Sequence, residues 1–411
     1  MPSPLDSQPA SPSTPSAEPG ASLRGLAWAA GLAFAGVVMT ALLIALGGLV
    51  TNTDSGLACP DWPTCFGTPF PKMVGGVLLE HGHRYLATAV GFVAVLCVWL
   101  AASGAPRLVS LLVSMPLILG AGTWAGIARH RTGAVPAAAG LLVLLGYAAG
   151  LWAIARARGA GRLSQVALLL VISQGLLGGL TVMYQLPVTV LVLHTATSML
   201  FLSVLLWLAL SLQQEARGAA SAPAPVEAGA PRFGALLGQT GGTRLVTFAG
   251  AAVYLQILLG ATVRHTGAGL VCTDLPWCKG ALWPVGVHPA VHLHMVHRSF
   301  ALVAAALLVL AGLRAARDAA AAGERGARLI ALALPALVIV QLALGVLTIW
   351  SLKELWTVTA HLLVAALLLA GCVALRARAQ LTGPVHTEPA RSPAGSAEAT
   401  LAALAPSGRT A

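Results

Sequence analysis

The chain has 411 residues, 57% of them hydrophobic and only 9% charged, whereas soluble domains run to about a quarter charged. Mean hydropathy is +0.83, which places most of the chain in a bilayer and excludes an ordinary soluble domain. The net charge of +11 comes largely from basic residues spaced between apolar stretches, as in membrane proteins that fix orientation by charge. No basic cluster stands beside aromatic platforms, so nucleic acid is excluded as a partner.

In chain order, residues 1–22 are rich in Pro, Ser and Ala and read as a disordered tail. The run Leu26 to Val50 is too long for a signal-peptide core and should remain a membrane helix. Apolar segments then fall at 84–103, 107–128, 134–155, 163–184 and 188–212. A polar linker, 213–242, separates them from segments at 243–263, 298–316, 327–350 and 355–377, and 379–411 forms a second disordered tail. The expectation is an all-α polytopic protein of ten spans, each long enough for a hydrocarbon core of about 30 Å. The transmembrane halves are 23–212 and 243–378, joined by a cytoplasmic linker.

Orientation follows from charge. With the N-terminus inside, eight basic residues face out (Lys72, Arg84, Arg129, Arg131, Arg264, Lys279, Arg298 and Lys353), leaving 16 of the 24 Lys and Arg inside. That bias favours both termini in the cytoplasm of a cell-membrane protein, with the cysteine-bearing loops outside.

An internal repeat organises the chain. Val50 to Cys65 reads V-T-N-T-D-S-G-L-A-C-P-D-W-P-T-C, and Val263 to Cys278 reads V-R-H-T-G-A-G-L-V-C-T-D-L-P-W-C, at an offset of 213. A second block matches Gln174, Gly178, Thr181 and His194 to Gln341, Gly345, Thr348 and His361. The step from His83 to His194 is 111 residues and that from His297 to His361 is 64. The excess fits a helical hairpin inserted at about 104–155, and an even number of added spans keeps the later repeats facing the same way.

Four of the eleven histidines occupy duplicated positions. His83 and His297 are expected to open the helices after the cysteine loops, each followed by an arginine (Arg84, Arg298). His194 and His361 fall one to two turns into the closing helix of each half. Two facing imidazoles in a four-helix bundle can ligate haem iron from opposite sides. The plainer alternative is that each imidazole only hydrogen-bonds a neighbouring helix. Arg84 and Arg298 stand where haem propionates would emerge, or else serve as interfacial anchors.

The halves differ at one informative place. Glu80 stands three residues before His83, and His294 three before His297, so each shares a helix face with its histidine. A carboxylate beside one iron site suits proton transfer, which marks the first half as reactive and the second as an electron-transfer or storage half. Otherwise Glu80 is a solvated acid at a helix start.

Cys59 with Cys65 and Cys272 with Cys278 are loop pairs on the oxidising side, either structural disulfides or a redox relay. Cys97 and Cys372 lie in apolar helices as packing residues. His81, His130, His265, His288, His292 and His386 carry little weight in this reading.

These features together resemble the haem A synthase family. The residues that carry the likeness are E-H-G-H-R at Glu80 to Arg84, V-H-R at Val296 to Arg298, the closing helices with His194 and His361, the Q-x3-G-x2-T helices and the cysteine loops. It covers about 25–103 and 160–378. The resemblance implies two pseudo-symmetric four-helix bundles and oxidation of the C8 methyl of haem O to a formyl group by successive hydroxylations. It implies substrate haem on His83 and His194 with Glu80 catalytic, a haem b cofactor on His297 and His361 beside Arg298, and an outer disulfide carried here by both halves. The usual family pattern has eight spans, so the hairpin is a departure. Two rival readings stay open: a di-haem electron carrier or quinone oxidoreductase, and a membrane thiol–disulfide enzyme. The sequence names no electron acceptor. Whether a haem O synthase or a second copy of the chain is a stable partner also stays open.

Overall fold

The computed structural model describes residues 19–221 and 241–381; most of the expected linker and both tails lie outside the described residues. The described residues form ten helices long and apolar enough to cross a membrane. They are α1 (Pro19–Asn52), α2 (Gly75–Ala101), α3 (Gly104–Thr132), α4 (Ala137–Arg156), α5 (Gly159–Met183), α6 (Val188–Ser221), α7 (Gly241–His265), α8 (Pro289–Ala321), α9 (Arg325–Trp350) and α10 (Leu355–Leu381).

Four boundaries stand out against the sequence reading. Helices α2 and α8 begin well before His83 and His297, so each histidine is the ninth residue of its helix rather than its opener. The intervening turns carry Glu80, His81, His292 and His294, whose polarity lowers hydropathy without interrupting the backbone ladder. Helix α6 runs on to Ser221 and α10 to Leu381. Leu, Gln, Glu, Ala and Arg there have high helix propensity and extend the helices past the apolar segment.

Helices α1, α2, α5 and α6 pack in a ring, and α7, α8, α9 and α10 form the matching ring. The rings meet where α1 and α6 lie against α10 and where α6 lies against α7. Ile44, Met199 and Leu202 of the first ring share one core with Val253, Leu334 and Leu368 of the second. A polar bridge crosses the same seam. Arg264 Nη2 donates to Gly48 O (3.0 Å) and Asn52 Oδ1 (2.8 Å), and Asn52 Nδ2 donates to Thr359 Oγ1 (3.3 Å).

The extra hairpin is α3 and α4, joined by a turn with Gly133 left-handed at φ 72° and Pro136 just ahead of α4. Small residues bring its helices together: Gly146 faces Ile118, and Gly150 faces Ser114, a spacing that lets membrane helices approach closely. The hairpin is fastened to α5 by Ser110 Oγ to Gln165 Oε1 (2.9 Å) and by Tyr147 OH with Ser173 Oγ (2.7 Å). Buried polar pairs of this kind hold helices together where the bilayer offers no competing partner.

Candidate haem sites

The cysteine loops are built alike. Cys59–Cys65 and Cys272–Cys278 are disulfide-bonded, and all four sulfurs belong to buried residues. In each loop an aspartate gathers backbone amides. Asp61 accepts from Phe66 N (2.6 Å), Gly67 N (3.0 Å) and the Thr64 hydroxyl. Asp274 accepts from Lys279 N (3.2 Å) and Gly280 N (3.3 Å). Burial alone would raise the Asp61 carboxyl, but the Thr64, Gly67 and Phe66 hydrogen bonds prevail and hold it below the usual carboxylate range.

Each loop is pinned to its following helix by the arginine after the histidine. Arg84 Nη1 donates to Asp61 O (2.9 Å) and Thr64 O (2.7 Å). Arg298 donates to Asp274 O (3.1 Å), Trp277 O (3.1 Å) and Cys272 O (2.6 Å). Both guanidiniums are therefore turned into their loops.

Glu80 is buried, not a solvated acid. Its Oε1 meets Arg84 Nη2 at 2.6 Å, and its Oε2 accepts the Cys59 N–H at 2.7 Å. The i, i+3 spacing placed Glu80 on the face of His83, but Arg84, one turn on, and the loop amide claim the carboxylate. In the second half Arg298 Nε donates to His294 Nε2 at 3.2 Å. His81, given little weight from sequence, is also buried: Nε2 lies 3.0 Å from Pro69 O and Nδ1 4.0 Å from Cys59 Sγ. Its neighbours Cys59 and Cys65 are spent in the disulfide, so this group is no metal cage.

The four duplicated histidines share one local design: each ring lies against a glycine of an adjacent helix. A Cβ added at Gly47 would stand 3.1 Å from His83 Cε1, and one at Gly260 3.0 Å from His297 Cε1. The corresponding distances are 3.8 Å from Gly178 to His194 and 3.3 Å from Gly345 to His361. The glycines are duplicated with the histidines, Gly47 with Gly260 and Gly178 with Gly345. Within each half the two histidines stand on diagonal helices of one ring, His83 on α2 with His194 on α6, and His297 on α8 with His361 on α10. His265, at the end of α7, comes within electrostatic reach of His194. No sequence signal marked it, since its repeat partner is Asn52.

Nδ1 of His83, His194 and His361 is buried without a hydrogen-bond partner. Paired imidazoles on facing helices of a four-helix bundle are the donor set that haem iron takes. The residues present fit haem.

The first cysteine loop has a contact that the second lacks. A Cβ at Gly126 of α3 would stand 2.7 Å from Trp62 O, and one at Gly179 of α5 2.8 Å from the Trp62 ring. Trp62 thus fills a notch between the hairpin and α5, and a cavity of about 300 Å³ opens beside it, lined by Asp61, Arg129, His130 and Gln185 among others.

Fold and site together define a multi-pass, all-α membrane protein with duplicated imidazole pairs beneath paired disulfide loops. The chain belongs to the family described as cytochrome oxidase assembly protein (COX15-CtaA), whose model matches residues 30–133 and 123–373. It is similar to the heme A synthase of Symbiobacterium thermophilum, 29% identical over 68% of this chain and 72% of the relative. It is also similar to the heme A synthases of Halalkalibacterium halodurans (26% identical, 66% of this chain and 70% of the relative) and Bacillus pumilus (28%, 64% and 67%).

Proposed function

We propose that this protein is a haem A synthase that oxidises the C8 methyl of haem O to a formyl group by successive hydroxylations. One observation carries the reading: two imidazole pairs, each bedded on glycines, with a buried carboxylate beside only the first. In this assignment His83 and His194 hold the substrate haem, and His297 and His361 hold a haem b cofactor. When bound, haem supplies the redox chemistry. The protein supplies position, exclusion of water and a proton path.

Glu80 serves the first half. A carboxylate has about four lone-pair sites, and Arg84 and the Cys59 N–H take two of them. The remainder can accept a proton from a substrate hydroxyl. The Cys59 bond also ties the disulfide loop to α2. In the second half, the hydrogen bonds of Arg298 leave one Nη2 hydrogen for a haem propionate. The charge bias supports an orientation with the loops and all four histidines toward the outer face and both termini in the cytoplasm. The halves 23–212 and 243–378 act as the substrate and cofactor units.

The test is expression alongside a haem O producer, followed by pigment extraction and chromatography. Haem A should appear; haem O alone, from folded and haem-loaded protein, sinks the proposal. The competing reading is a di-haem electron carrier, favoured by the fact that both Glu80 oxygens already have structural partners. It predicts two retained haems and no haem A.

A further inference from the structure

The two halves treat their first histidine differently, one turn from the shared glycine. In α7, Gln256 stands four residues before Gly260, on the same helix face. Its amide nitrogen lies 3.0 Å from His297 Nδ1 and 3.0 Å from His297 O, while its Oε1 is buried without a partner. In α1 the residue four before Gly47 is Leu43, and His83 Nδ1 has no partner. The closing histidines also differ between the halves, but at the other ring nitrogen. Gln341 Nε2 lies 3.3 Å from His361 Nε2, whereas the equivalent Gln174 turns away to His194 O (2.8 Å) and Thr197 Oγ1 (2.6 Å).

We propose that Gln256 is a positioning residue that orients the His297 ring and sets its donor strength, equipping the second half to retain haem, whereas Leu43 leaves His83 untethered in the half that exchanges haem. The inference rests on the assignment of resident and substrate haem made above. Iron takes the lone pair of one imidazole nitrogen; when that is Nε2, the proton resides on Nδ1 and needs an acceptor. A half-turn of the Gln256 amide brings Oε1, now unpartnered, to that proton, and gives up the bond to His297 O in exchange. The two ends of the amide are nearly alike in size, so the turn leaves packing intact. A ligand imidazole that donates in this way is held in plane and made more basic. Leucine accepts no proton, so His83 lacks that support and releases its haem more readily.

The experiment uses the full chain purified with bound haem, with His297→Ala identifying the spectrum of the second-half haem. Gln256→Leu is expected to speed transfer of that haem to a scavenging apoprotein by about 10–100-fold. It should also raise the midpoint potential, because a less electron-rich imidazole favours the ferrous state. Gln256→Glu should retain the haem and shift the potential downward, and Leu43→Gln should slow loss from the first half. Opposite shifts from Leu and Glu distinguish tuning of the ligand from mere loss of packing. Unchanged dissociation and potential in Gln256→Leu, or shifts of the same sign in both variants, overturn the inference. If Gln256→Leu holds too little haem to measure, Gln256→Glu decides: a lowered potential supports it and an unchanged one overturns it. Haem A production does not enter these readouts. The expected shifts in a protein that makes no haem A would refute the synthase reading alone, and wild type without a His297-dependent haem would overturn both.

Discussion

The Glu80 carboxylate meets the Arg84 guanidinium at 2.6 Å, and at the matching place His294 Nε2 meets Arg298 Nε at 3.2 Å. An ion pair in one half is thus replaced by a hydrogen bond between a cation and an imidazole in the other. The arginines do the same work in both loops, so the chemical difference between the halves is concentrated in their partners.

Glu80→Gln keeps an acceptor for the Cys59 N–H but removes the charge. Bound haem should be retained, while haem A formation falls by about 10²–10⁴-fold, the usual contribution of a proton-transfer group. Pigment extraction with a haem assay on the same sample checks it. Unimpaired conversion returns Glu80 to the role of a loop tie.

Valine at Gly260 forces the His297 ring from its bed, since even a Cβ there reaches 3.0 Å from the imidazole. Gly260→Val is expected to weaken second-half haem binding about tenfold or more and leave the first half loaded. Gly47→Val should do the reverse. Haem stoichiometry and the optical spectrum of each purified variant separate the two.

Trp62 tests the hairpin. Gly126→Val places atoms against the Trp62 backbone oxygen, 2.7 Å from the built Cβ, where no side-chain rotation relieves the clash. Overpacking of this kind costs about 1–3 kcal/mol, so the melting temperature in detergent should fall. A valine at Gly120, which has nothing within 4 Å, should leave it unchanged.

Acid should loosen the first loop through Asp61. Its folded carboxyl is held below the ordinary value of 3.8, so its stabilisation is complete above that value and is lost as pH falls through the lower, folded one. Asp61→Asn should lower the melting temperature at neutral pH and flatten its decline on acidification. Melting curves from neutral pH to below the unfolded value check this; an equally steep acid decline in the variant assigns the effect elsewhere.

Much of this was legible in the sequence. Ten apolar windows and the V-x-x-T-x-x-G-L-x-C-x-D-x-P-x-C repeat gave the helix count, the hairpin insertion and the four histidines, because span length and duplicated spacing are properties of the chain itself. Glu80 was found but its direction was not. Helical spacing names the face a residue shares, not which of two competing partners on that face captures it, and Arg84 and the Cys59 amide do so here. Gln256 escaped because a search for repeated residues rewards identity, and its counterpart is Leu43. The seat of Trp62 needs α3, α5 and a loop brought together from distant segments, which no local pattern encodes.

The hairpin also sets an order of assembly. Helices α8 and α9 are separated only by residues 322–324, so the second ring can close by pairing neighbours as they leave the translocation machinery. Helix α2 ends at Ala101 and its partner α5 starts at Gly159, with two complete spans inserted between them. Ring closure in the first half therefore spans a far longer loop, at an entropic cost that grows with length. Until α5 arrives, the α2 face carrying His83 has no second wall. The half assigned to exchange its haem is thus the half whose pocket is completed by parts synthesised furthest apart.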